Sequence, residues 1–132
     1  MTRMIAAVAI FLLASPALSE EHQDQLHAAQ MVVRAKLLGA PEWIYEWGQS
    51  PDHPDPHGVR GKVNRGKAWF AEKDGKLIGH VDDGLKCDSE VTLREDGFDM
   101  EICTADDKQF VLSGEGFIAS FGSYTYTIRP AP

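Results

Sequence analysis

From Glu42 to its end the chain is cut into short alternating segments of strand-like composition, separated by glycine-bearing turns, and this limits its fold more than any other feature. Glu42–Trp47 alternates with Trp43, Tyr45 and Trp47 on one face. Lys67–Glu72 and Lys76–Val81 flank Asp74-Gly75, and Glu90–Arg94 and Phe98–Ala105 flank Asp96-Gly97; both dipeptides are hairpin signals. Gln109–Ser113, Phe117–Phe121 and Tyr124–Arg129 follow, with Gly122-Ser123 at the last reversal. Seven or eight strands spaced by roughly 8–12 residues favour nearest-neighbour antiparallel pairing. In so short a chain, closing the sheet on itself hides its edges. The expected fold is mainly β (α+β): a small antiparallel barrel or strongly curled sheet over residues 42–132.

Ahead of it, Glu20–Leu38 reads as an amphipathic helix that covers the sheet. Leu26, Ala29, Val33 and Leu37 recur at helical spacing, Val32 widens the stripe, and Gln23, Gln30, Arg34 and Lys36 are polar. Gly39 and Pro41 stop it, so the helical part of the domain spans residues 20–41.

Residues 1–19 have the layout of a secretory signal peptide. Arg3 supplies the positive start, Met4–Ala14 is an 11-residue apolar run, Ser15-Pro16 breaks it, and Ala17 and Ser19 are the small residues before Glu20. A membrane span needs about 20 apolar residues, nearly twice this run. The expectation is a mature protein, Glu20–Pro132, soluble and exported to the periplasm or secreted. Loss of Arg3, the one charged residue before Glu20, takes the net charge from −7 to −8.

Export makes a disulfide the expected state of Cys87 and Cys103, the only cysteines. Strand alternation opposes it, because Cys87 shares a face with Val91 and Leu93, whereas Cys103 points away from Phe98, Met100 and Ile102. Bridging them needs a bulge, or a Cys87 that precedes its strand in the Gly84-Leu85-Lys86 bend.

An isoelectric point near 5.1 argues against nucleic acid, which requires concentrated positive charge. Positive charge gathers only in Val59–Lys76, where Arg60, Lys62, Arg65, Lys67, Lys73 and Lys76 face Glu72 and Asp74. Arg60, Lys62, Arg65 and Lys67 are therefore candidates for a small anionic ligand or an acidic protein partner; the plainer reading is a solvated strand face. Trp43, Tyr45 and Trp47 are the second candidate surface, a stacking platform for a flat ligand, set against the commoner role of large aromatics as barrel core.

Two metal readings arise. His53, Asp55 and His57 lie within the Pro-rich stretch Gly48–Gly58 and carry donors for zinc or copper; the competing reading is a solvated loop. Cleavage before Glu20 would place His22 third in the mature chain, where the free amine, two amide nitrogens and the imidazole form a square-planar copper set. No Gly-x-Ser-x-Gly, HExxH or phosphate-loop motif occurs, and the paired aspartates Asp82-Asp83 and Asp106-Asp107 fall at turns, where aspartate is ordinary. The sequence thus favours a small exported binding or inhibitory module without catalysis. A copper or zinc protein is the first alternative, and a small hydrolase without a recognisable motif the second. Fold alone does not choose among them.

Overall fold

The computed structural model describes residues 2–50, 63–103 and 107–132, with side chains from residue 20 onward. A helix, α1 (Thr2–Leu38), precedes nine strands: β1 (Trp43–Gln49), β2 (Val63–Lys73), β3 (Lys76–Asp82), β4 (Lys86–Glu90), β5 (Thr92–Leu93), β6 (Gly97–Glu101), β7 (Asp107–Ser113), β8 (Gly116–Phe121) and β9 (Tyr124–Pro130). All belong to one antiparallel sheet of order β4-β3-β2-β1-β9-β8-β7-β6-β5. The first and last strands are neighbours, pairing from Trp43↔Pro130 to Gln49↔Tyr124. The sheet curls into a nearly closed barrel.

The ninth strand arises because one expected segment is divided. β4 and β5 are separated only by Val91. β4 pairs with β3 (Val81↔Cys87) and β5 with β6 (Leu93↔Phe98), so one stretch of chain belongs to both ends of the sheet and draws them together. Val91 is buried at the bend, its amide on the Leu77 carbonyl at 2.8 Å. Along the same seam the Glu101 amide donates to Ser89 Oγ at 3.1 Å, and Cys87 is disulfide-bonded to Cys103 with Cα atoms 5.3 Å apart.

The face conflict between the cysteines is resolved by backbone geometry at Cys103. Cys87 lies within β4, facing the same side as Val81. Cys103 lies beyond the end of β6 with φ of 55°, a left-handed conformation uncommon outside glycine. It turns the chain out of the ladder and brings the sulfur to the seam, without a bulge.

Asp74 and Gly75 form the two-residue turn expected of them, both with positive φ. At the next hairpin the turn is shifted by one residue: the Arg94 amide donates to the Gly97 carbonyl at 2.8 Å, Glu95 and Asp96 are the central pair, and Gly97 begins β6. A Cβ at Gly97 would stand 1.8 Å from the Phe110 carbonyl oxygen, so this glycine serves close strand approach instead of the turn.

Trp43, Tyr45, Phe98, Phe110 and Phe117 fill the interior. Phe98 is its centre, stacked on Phe110 at 4.9 Å and edge-on to Phe70 and Phe117. The C-terminal part of α1 closes one end of the barrel. Val33 and Leu37 are buried, the Trp43 indole donates to the Leu37 carbonyl at 3.2 Å, the Gln30 amide donates to the Leu93 carbonyl at 3.0 Å, and Arg34 pairs with Glu72. The helix starts at Thr2 instead of Glu20, continuous through residues 2–19, which are rich in the good helix formers Ala and Leu. Its buried stripe is narrower than the periodicity predicts. Val32 is 66% exposed, and Glu20–Ala28 are all exposed, because they extend past the sheet they were expected to cover.

Candidate functional site

Strand alternation sends every second side chain of each strand inward, and the inner positions are not equally filled along the barrel. On β8, exposure rises from 1% at Phe117 to 42% at Phe121; on β9 it rises from 3% at Ile128 to 39% at Tyr124. The buried members lie toward α1 and the exposed ones at the opposite end. Leu85, in the turn between β3 and β4, is also exposed at that far end. Two strand ends and one turn therefore bring large apolar side chains to one rim, while the helix seals the other.

Beneath this rim the rings are ordered. Tyr126 stacks between Tyr45 (6.5 Å, 16° between planes) and Trp47 (6.1 Å, 21°), and Tyr124 meets Trp47 edge-on at 5.9 Å. Lys108 is buried, its Nζ 3.8 Å from the centre of the Phe121 ring and 5.7 Å from that of Tyr126. The Ser50 and Thr125 hydroxyls share a hydrogen bond of 2.5 Å, and the Ser50 amide donates to the Ser123 carbonyl at 2.7 Å, which fastens the end of β1 to the β8–β9 turn.

The Trp47 indole N–H donates to Asp83 Oδ2 at 3.0 Å, and the other carboxylate oxygen accepts the Leu85 amide at 3.3 Å. Trp47 lies on β1 and Asp83 just beyond β3, with β2 between them. The turn reaches over β2 at Gly66, where a Cβ would stand 2.3 Å from the Asp82 carbonyl oxygen and 2.7 Å from the Asp83 Cα. Burial raises the Tyr45 phenol well above its ordinary range, and the Asp83 charge and Tyr126 add to the shift. The Tyr126 phenol is raised by burial and by Tyr124.

Of the sequence candidates, Trp43 and Tyr45 are enclosed core residues, and only Trp47, half-buried, reaches the open end. Arg65 and Lys67 project from the outside of β2, exposed, each opposite a carboxylate: Arg65 to Glu46 and Lys67 to Glu42, both at 3.6 Å. Glu46 also holds Arg129 at 2.9 Å, so this part of the basic stretch is a mixed-charge face. Arg60, Lys62, His53, Asp55 and His57 lie outside the described residues, which include Ser50 and Val63 on either side of them. His22 lies on the exposed part of α1. Among the described residues no three His, Cys, Asp or Glu side chains are grouped to hold a metal ion, and no helix is long and apolar enough to cross a membrane.

Sequence reading missed Phe121, Tyr124, Tyr126, Lys108 and Asp83. The first three carried a usable signal: Phe117, Ala119 and Phe121 share one face of β8, and Tyr124, Tyr126 and Ile128 one face of β9, across a tight reversal. Asp83 carried none, since its role depends on a strand pairing that no local pattern reports. No protein-family model matches the chain, and no curated protein or solved structure is significantly similar to it.

Proposed function

We propose that this chain is an exported, non-enzymatic binding module that takes a small apolar ligand at the open end of its barrel. The observation that carries the reading is the gradient along the inner face, from fully buried Phe117 and Ile128 to exposed Phe121 and Tyr124. Rings that face a barrel interior yet stay open to water have contact area free for a ligand, and ligand sites are concave, largely apolar and served by a few polar groups. Asp83 and Lys108 supply polar groups at this end. Export rests on the leader-like character of residues 1–19 and agrees with the Cys87–Cys103 bond.

Titration with the environment-sensitive dye N-phenyl-1-naphthylamine tests the site. Saturable binding is expected, with affinity falling by about tenfold or more in a Phe121→Ser, Tyr124→Ser variant as two apolar ring contacts are lost. Unchanged affinity in that variant, or no saturable binding by the parent protein, would sink the reading.

A further inference from the structure

We infer that Asp83 is a positioning residue for the open end: by holding the Trp47 indole from across β2, it fixes one flat wall, so that the site selects planar ring compounds over flexible chains of similar hydrophobicity. This rests on the ligand site proposed above. A tryptophan ring at a barrel mouth can rotate about two side-chain bonds, and each alternative rotamer would break up the stacking surface. Here two constraints act on the same ring. Tyr126 lies against its face at 21° between planes, and the Asp83 carboxylate accepts the indole N–H at 3.0 Å. The carboxylate is itself held, because its second oxygen accepts the Leu85 amide and its backbone is packed over Gly66, where no side chain would fit. The plane of Trp47 is thus set by the β3–β4 turn as well as by its own strand. With Tyr45 enclosed behind Tyr126 and Tyr126 against Trp47 at 21°, the flat face offered at the mouth is that of Trp47. A fixed flat face suits offset stacking by another ring, a contact worth more than its buried area alone, whereas a flexible chain gains only area and loses rotamer freedom on binding.

A double-mutant cycle separates this role from a general structural one. Dye affinity is measured for the parent, Asp83→Ala, Trp47→Phe and the double variant; Trp47→Phe keeps a flat ring but has no indole N–H. Asp83→Ala is expected to weaken dye binding about tenfold in the parent and less than twofold in the Trp47→Phe background, the non-additivity of residues that act through one contact. Asp83→Asn, which retains an acceptor oxygen at the same reach, should stay within about threefold of the parent. Displacement of the dye by 2-naphthol should need a lower concentration than displacement by 1-decanol, and Asp83→Ala should erase that preference. Equal losses in the two backgrounds, or 1-decanol displacing as well as 2-naphthol from the parent, overturn the inference. Should the parent bind no dye, the ligand site itself fails. Positioning is then judged from near-ultraviolet circular dichroism, by difference against Trp47→Phe: a Trp47 band lost in Asp83→Ala supports it, and an unaltered band ends it.

Discussion

The Trp47 indole and the Asp83 carboxylate meet at 3.0 Å although β2 runs between the strands that carry them. Hydrogen bonds in a sheet ordinarily join neighbouring strands. This one skips a strand because the turn after β3 folds over β2 at a residue without a side chain, Gly66, which pairs with Tyr45 of β1 in register.

Gly66→Ala is therefore expected to be destabilising out of proportion to one methyl group. Its Cβ would meet backbone atoms of Asp82 and Asp83, which cannot rotate away as a side-chain end could. Overpacking of this kind costs about 1–3 kcal/mol. Thermal melting should show a fall of several degrees, and iodide quenching should reach Trp47 more readily as the turn lifts. A melting temperature equal to that of the parent would show that the turn has room to move.

Alkaline pH should weaken the fold through its buried phenols. Tyr45 and Tyr126 have raised pKa values in the folded protein, mainly from burial, against an ordinary value near 10.0. Below that value both folded and unfolded states keep the proton, and the stability is fully present. Above it the unfolded chain releases protons that the folded chain retains, so stability falls as pH rises. Each such phenol contributes a slope of up to about 1.4 kcal/mol per pH unit. Urea unfolding at pH 9 and pH 11 checks this, and Tyr45→Phe should flatten the dependence.

The disulfide is expected to secure the seam of the barrel. It joins β4 to the chain just past β6, residues 16 apart in sequence. Chain-entropy reasoning for a loop of that size gives roughly 3 kcal/mol of stabilisation. Replacing both cysteines by alanine should lower the urea midpoint accordingly, and amide exchange should speed up first in β4 and β6. Uniform acceleration across all strands would mean that the seam is no weaker than the rest.

Docking of α1 depends on few side chains. Leu37 is fully enclosed, so Leu37→Ala should cost about 2–5 kcal/mol. Val32, on the same helix but mostly exposed, should tolerate alanine within about 0.5 kcal/mol. Equilibrium urea denaturation of the two variants measures the contrast, and similar losses would contradict the burial of Leu37 against the barrel.

The sequence by itself determined the fold class: period-two alternation, Asp74-Gly75 and the reversal at Gly122-Ser123 define strands and hairpins, while Val33 and Leu37 mark the helix face that packs. These are local signals, carried by residues near one another in the chain. Tertiary structure decided the rest. The Cys87–Cys103 bond depends on a left-handed backbone at Cys103, and the splitting of β4 from β5 at Val91 follows from closing the sheet, neither of which periodicity records. The candidate site was legible only at Trp47. Trp43, Tyr45 and Trp47 share one face of one strand, yet two are enclosed and one reaches the mouth, since depth along a barrel depends on where the helix plugs it. Asp83 read as an ordinary turn aspartate, and it faces an indole because β1, β2 and β3 are neighbours and Gly66 lets the turn cross between them.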